Sequence, residues 1–352
     1  MISVRTLALA AVVPAIVCVT LVSVVSAAIN IETVPVGNTS NTGELSGTGA
    51  GGYGSDRICG AVGYEYNIGK YEVTAGQYTA FLNAVAATDT YGLYNTDMWL
   101  LGCCKIKRTD TGSGYSYSVA ADWANRPVNC VSFWDACRFA NWLHNGQPTG
   151  AQDAGTTEDG AYTLNGYNGD DGRTIQRNSG WQWAVPSEDE WYKAAYHKND
   201  GDTGNYFDYP TANDSVPSND LTTPDGGNNA NFYQNGYTII GSPYYLTPVG
   251  EFELSGSPYG TFDQGGNVWE WNEAVMYWEE EASGWSIRGL RGGSYFANDS
   301  YMLAACRDTF RFIIYDPTVE FGFIGFRVSQ VPEPATLALL VLGGLVALRR
   351  RR

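Results

Sequence analysis

Histidine is nearly missing from this chain, with only His144 and His197 among 352 residues. Cysteine is sparse at seven, and no C-x2-C pair occurs, so Cys103, Cys104, Cys130 and Cys137 do not make a zinc site. Basic residues are also few: 21 Lys and Arg face 37 Asp and Glu. Setting aside Arg5 and the four terminal arginines leaves 16 basic against 37 acidic side chains, a formal charge of −21. Such a surface repels nucleic acid and anionic lipid, which excludes nucleic-acid binding. There is no internal period of a solenoid or propeller. The lone G-x-G-x-x-G at Gly49, Gly51 and Gly54 lacks the flanking strand and helix of a dinucleotide site.

What is present begins with the two ends. Arg5, the apolar run Leu7 to Val25 and the small residues Ser26-Ala27-Ala28 read as a secretory signal peptide over residues 1–28, with an uncleaved anchor as the alternative. At the other end Val331-Pro332-Glu333-Pro334 precedes an apolar stretch, Ala335 to Leu348, and then Arg349 to Arg352. That stretch is short for a comfortable span, and the arginines would hold its end in the cytoplasm. The order of parts over 331–352 resembles the PEP-CTERM sorting signal of Gram-negative bacteria. The resemblance implies an exosortase as partner, and at least transient membrane anchoring at the cell envelope or outside it. A plain C-terminal anchor is the alternative.

Between the ends, an oxidising compartment makes disulfides an expectation for Cys59, Cys103, Cys104, Cys130, Cys137 and Cys306, with connectivity left open. Residues 29–58 read as a flexible entry segment, being small and polar over 37–56. Three helix starts carry capping-box chemistry at Thr74/Gln77, Ser132/Asp135 and Ser187/Glu190. They predict half-buried helices over about 75–87, 133–144 and 188–197. Elsewhere regular patterns fade. The 42 glycines, 24 tyrosines and 11 tryptophans suggest that large rings pin long loops such as 150–180 and 198–231.

Five motifs stand in a fixed order over residues 59–330. They are Tyr71-Glu72-Val73-Thr74, Arg126-Pro127-Val128-Asn129 with Val131-Ser132-Phe133-Trp134-Asp135, and Pro186-Ser187-Glu188-Asp189-Glu190-Trp191. Gly266-Asn267-Val268-Trp269-Glu270-Trp271 and Arg291-Gly292-Gly293-Ser294 follow, and Gly325-Phe326-Arg327-Val328 closes the series. Together they resemble the formylglycine-generating enzyme, or sulfatase-modifying factor, family. The resemblance implies an α+β fold of distorted C-type-lectin-like type with little regular secondary structure, flanked here by the two terminal hydrophobic segments.

It also implies calcium at Asp263, Gly266, Val268 and Glu270, and a weaker second calcium position at Asn231 and Phe232. The plain alternative is that Glu270 pairs with an arginine and Asp263 caps a turn. The family's catalytic copper lies between two thiolates, and those positions fall on Ala297 and Met302. Ser294 matches a serine of the oxygen pocket. Neither alanine nor a thioether supplies a thiolate, so copper is not expected. A lone Cys306 makes a poor substitute, and an iron site of the sulfoxide-synthase type would need more histidines than two. The expectation is a non-catalytic, membrane-sorted member acting as a binding or structural module, with carbohydrate or an envelope protein as ligand. The alternatives are a copper-dependent oxidase acting on a sulfatase cysteine and a surface-layer component with no discrete ligand.

Overall fold

The computed structural model describes residues 28–100, 103–171, 173, 175–234, 237–238, 240–276, 287–307 and 316–332. Nearly all of the signal peptide and the sorting tail thus lie outside the described residues. Among the described residues no helix is long and apolar enough to cross a membrane.

Short strands and a few helices alternate along the chain. β1 (Thr33–Val36), β2 (Glu44–Ser46), β3 (Arg57–Cys59) and β4 (Tyr66–Gly69) precede α1 (Ala75–Val85) and α2 (Asp97–Leu100). The hairpin β5 (Ile106–Asp110) and β6 (Tyr115–Val119) leads to α3 (Phe133–His144), β7 (Trp183–Ala184) and α4 (Glu188–Tyr196). β8 (Tyr233–Gln234), β9 (Tyr237–Thr238), β10 (Trp269–Met276), β11 (Ile287–Arg291), β12 (Ile324–Gly325) and β13 (Ser329–Gln330) complete it. One sheet runs β1-β4-β13-β7 and a second β11-β10-β12; the remaining strands form hairpins. The result is an α+β fold held largely by loops.

All three capping boxes are formed, each with reciprocal side-chain and backbone bonds. The predicted face of α1, Tyr78, Phe81, Leu82 and Val85, is buried as the spacing requires. Phe81 anchors the main core, with ring centroids 5.4 Å from Tyr78, 5.3 Å from Phe139 and 5.2 Å from Trp142. Tilted and edge-on aromatic contacts of this kind add to simple area burial.

Two expectations need correction. The helix α3 is buried on every side, Asp135, Arg138 and Asn141 included. The loop after it wraps its polar face: Arg138 donates to both oxygens of Glu158 at 2.7 and 3.1 Å. Asn141 donates to the carbonyls of Thr157 and Tyr162 and accepts from the Tyr162 amide. Buried polar partners therefore fasten the 150–180 loop as much as rings do. Likewise residues 29–58 are not a loose lead-in. β1 pairs antiparallel with β4, and β2 with β3. Ser46 is fully buried, donating to the Ala304 carbonyl and accepting from Arg291.

Candidate functional site

Three loops cross where the glycine turns at Gly266 and Gly292 meet. The Gly266 amide donates to the Gly292 carbonyl, Asn267 N–H to the Asn231 carbonyl, and Tyr295 N–H to the Asn267 carbonyl. Asn267 also accepts at Oδ1 from Asn231 Nδ2, Thr247 N and Thr247 Oγ1. Gly266 has φ +80°, and a Cβ there would meet the Asn231 carbonyl oxygen at 2.3 Å. Only glycine permits that approach.

At this crossing the positions that the resemblance assigns to copper are apolar. Ala297 is buried, its amide bonded to the Ser294 carbonyl. Met302 is fully buried among Tyr209, Ala230, Phe232 and Leu303, with its side chain against the Gly292-Gly293 turn. Ser294 Oγ accepts from the Phe296 amide at 3.3 Å, a local turn bond. A monovalent copper ion finds no thiolate at either position, so the donor set does not fit it. Cys306 is buried, and its carbonyl accepts from Arg291.

The outer side of the same turn carries aromatic rings. Phe296 is 70% exposed, Tyr245 40% and Tyr233 39%. Tyr245 stacks on Tyr295 at 5.6 Å, and Phe296 neighbours Tyr233 and Tyr295 at 6.4 and 6.5 Å. Tyr233 opens β8, Tyr245 lies on the loop that follows β9 and Phe296 on the turn after β11, so no sequence spacing announces them.

Beneath this crossing lies an acidic cluster. Glu270, fully buried, accepts from Arg327 Nε at 2.6 Å, Arg327 Nη2 at 2.7 Å and Trp191 Nε1 at 2.8 Å. Asp263, at φ +60°, accepts from the Gly250 amide at 2.6 Å. Gly266 and Val268 lie buried on the turn between them. Sequence reasoning did not single out Glu72, which is buried with neither carboxylate oxygen hydrogen-bonded. Burial first, then the charges of Asp263 and Glu270, push its carboxyl well above the ordinary range. Burial likewise raises Asp263 to about 6. Among the described residues no three His, Cys, Asp or Glu side chains converge as a metal cluster. A cation here would thus draw on Glu72, Asp263 and backbone carbonyls, a hard oxygen set of the type calcium takes. Orphaned buried oxygens of like charge are the observation that fits such an ion. An open cleft of about 590 Å³ lies against Glu72, walled also by Ile29, Tyr71, Gln77, Asn125 and Val249.

The second expected calcium position is differently furnished. Asn231 Nδ2 donates to the Tyr245 carbonyl and Asn267 Oδ1, leaving its own Oδ1 without a partner. The Phe232 carbonyl accepts from Asn219 at 3.2 Å. Both histidines end helices. His144 Nδ1 accepts from the Gln182 amide at 3.0 Å. His197 is buried between Tyr259 and the Thr203 carbonyl, and burial holds its pKa down. Cys59, Cys103, Cys104, Cys130 and Cys137 carry free thiols in this structure.

Residues 60–331 match the sulfatase-modifying factor enzyme 1-like domain, and residues 330–352 match the PEP-CTERM protein-sorting motif. Among solved structures the chain is similar to CarF, at 20% identity and a TM-score of 0.50 over 86% of this chain and 99% of CarF. It is also similar to variable protein 1 of Treponema denticola, at 18% identity and 0.50 over 87% and 97%. Likeness at this identity speaks for the fold. No curated protein matches the sequence.

Proposed function

Since the chain belongs to the sulfatase-modifying factor enzyme 1-like family, we propose that it is a non-catalytic member whose aromatic face binds carbohydrate at the cell envelope. The PEP-CTERM motif implies export, recognition by exosortase-type machinery and membrane-associated sorting in a Gram-negative bacterium. One observation carries the binding reading. The turn where the family's chemistry would sit is apolar inside, at Ala297 and Met302, and ringed outside by exposed Phe296, Tyr245 and Tyr233. Loops on a rigid base carry recognition, and flat rings suit the apolar faces of sugars. Carbohydrate as the ligand class rests also on the lectin-like fold, which is an analogy. Calcium held by Glu72, Asp263 and the backbone carbonyls of Gly266 and Val268, with Glu270 committed to Arg327, would fix the turn that carries these rings. An envelope protein is the other ligand class this face would serve.

The test is a glycan array probed with the secreted protein and with Phe296→Ala and Tyr245→Ala, with and without calcium. Binding of the wild type that both variants lose would support the reading; wild-type binding unchanged in both would end it. A second reading, a copper-dependent oxidase with relocated thiols, is favoured by one feature: the sulfurs of Cys103 and Cys130 both border Gly322. Turnover of a sulfatase-type cysteine peptide to formylglycine under oxygen, followed by mass spectrometry, would establish it.

A further inference from the structure

Cys103 and Cys130 are separated by 26 residues in sequence, yet their sulfurs meet at one glycine. Both sulfurs border Gly322: a Cβ built there would lie 2.7 Å from Cys103 Sγ and 4.0 Å from Cys130 Sγ. The backbone around them is clamped. Cys130 N–H donates to the Phe321 carbonyl at 3.1 Å, Asn129 Nδ2 to the Gly322 carbonyl at 2.7 Å, and Cys104 Sγ reaches the Asn129 carbonyl at 3.7 Å. Cys130 itself sits at φ +57°, a conformation that a residue with a Cβ keeps only when its surroundings fix it. One sulfur is buried and the other half-buried, so an incoming reagent can reach Cys103 first.

We propose that Cys103 and Cys130 form a disulfide in the exported protein, a pairing that sequence alone leaves among many. An oxidising compartment favours the bond, and the oxidant is a protein disulfide of the dithiol-oxidoreductase class. The Cys103 thiolate attacks one sulfur of that disulfide and expels the other as a thiolate, giving a mixed disulfide. The Cys130 thiolate then attacks the Cys103 sulfur and releases the carrier as a dithiol. Two electrons pass to the carrier and two protons leave the thiols, so the exchange balances. Cys103 is half-buried and Cys130 buried, which makes Cys103 the first attacking sulfur. The bond would tie the segment after α2 to the lead-in of α3.

The experiment is alkylation of the secreted protein after unfolding without reductant, then tryptic peptide mapping. The expected result is a cross-link between the peptide ending at Lys105 and the one ending at Arg138, separated by reduction. Each of these peptides carries a second cysteine, so variants assign the bond. The link should persist in Cys104→Ala and Cys137→Ala and vanish in Cys130→Ala. Alkylation of both Cys103 and Cys130 in unreduced wild-type protein would overturn the proposal, as would a link lost in Cys104→Ala or Cys137→Ala but kept in Cys130→Ala. Should a variant fail to fold, the wild-type alkylation pattern decides alone.

Discussion

Raising the pH should destabilise the calcium-free protein, and calcium should reverse the loss. Glu72, Asp263 and Glu270 face a single cation, Arg327, so the cluster carries a net charge of −2 when fully ionised. Asp263 has its pKa raised from 3.8 to about 6, chiefly by burial. The folded state therefore holds its proton more tightly than the unfolded chain does. Its contribution to stability is complete below pH 3.8 and is lost as pH climbs through about 6. At 1.36 kcal/mol per unit of pKa this is at most about 3 kcal/mol, since the side chain is partly accessible to solvent. Glu72, raised further, works in the same direction. Asp135 at about 6 and Glu320 at about 8 do so as well, so the raw pH profile mixes several groups. The calcium-dependent difference isolates this cluster. An ion at a hundredfold excess over its Kd adds about 2.7 kcal/mol. For a domain of this size that is a rise in Tm of roughly 5–10 °C. Thermal unfolding of the secreted protein at pH 5 and pH 7.5, with calcium or chelator, measures it. The shift should be larger at pH 7.5, where the carboxyls give up protons more readily to the ion. Glu72→Gln mimics the protonated acid, so it should leave calcium-free stability within about 1 kcal/mol at neutral pH and abolish the calcium shift. A calcium shift that survives in Glu72→Gln, or is absent from wild type at both pH values, would refute the reasoning.

Three other outcomes can be checked by chemical denaturation or binding. Arg327→Met strips Glu270 of both its guanidinium bonds and leaves a buried carboxylate, which should cost about 3–5 kcal/mol. Gly266→Ala drives a methyl into the Asn231 carbonyl at a positive φ, and stability should fall by more than about 1 kcal/mol. Phe296→Ala removes a ring that is 70% exposed, so stability should change by less than about 0.5 kcal/mol while glycan binding is lost.

Local signals in this chain were readable and long-range ones were not. The capping boxes at Thr74, Ser132 and Ser187 need only residues three apart, and all three form. Arg138 looks like a surface position on an amphipathic helix until Glu158, twenty residues on, folds over it. The glycine-rich stretch 37–56 looks loose because its composition hides Ser46, which is buried by contacts to Arg291 and Ala304 from the far end of the domain. Glu72 sits in a readable motif, but an unpartnered carboxylate is a property of what surrounds it in space. The exposed rings of Tyr233, Tyr245 and Phe296 follow no period, since they come from a short strand and two separate loops.

The motifs that identify the family are largely partners of one another. Glu188 of the Ser187 motif takes Arg291 of the Arg-Gly-Gly-Ser turn at 2.8 Å, and Trp191 of the same motif donates to Glu270. Glu270 in turn takes Arg327 of the closing motif, and Trp271 Nε1 reaches the Val131 carbonyl beside the second motif. Gly292 accepts from Gly266, joining two glycine turns back to back. Each of these residues is buried, so replacing one would leave a charge or a donor stranded. Physical necessity of this kind holds the motifs in place whether or not any reaction occurs nearby. Ala297 and Met302 are under no such constraint: they need only fill apolar space, and they do. The signature of the family is thus a signature of its scaffold, and the two positions that the resemblance assigns to copper lie outside all of those buried pairs.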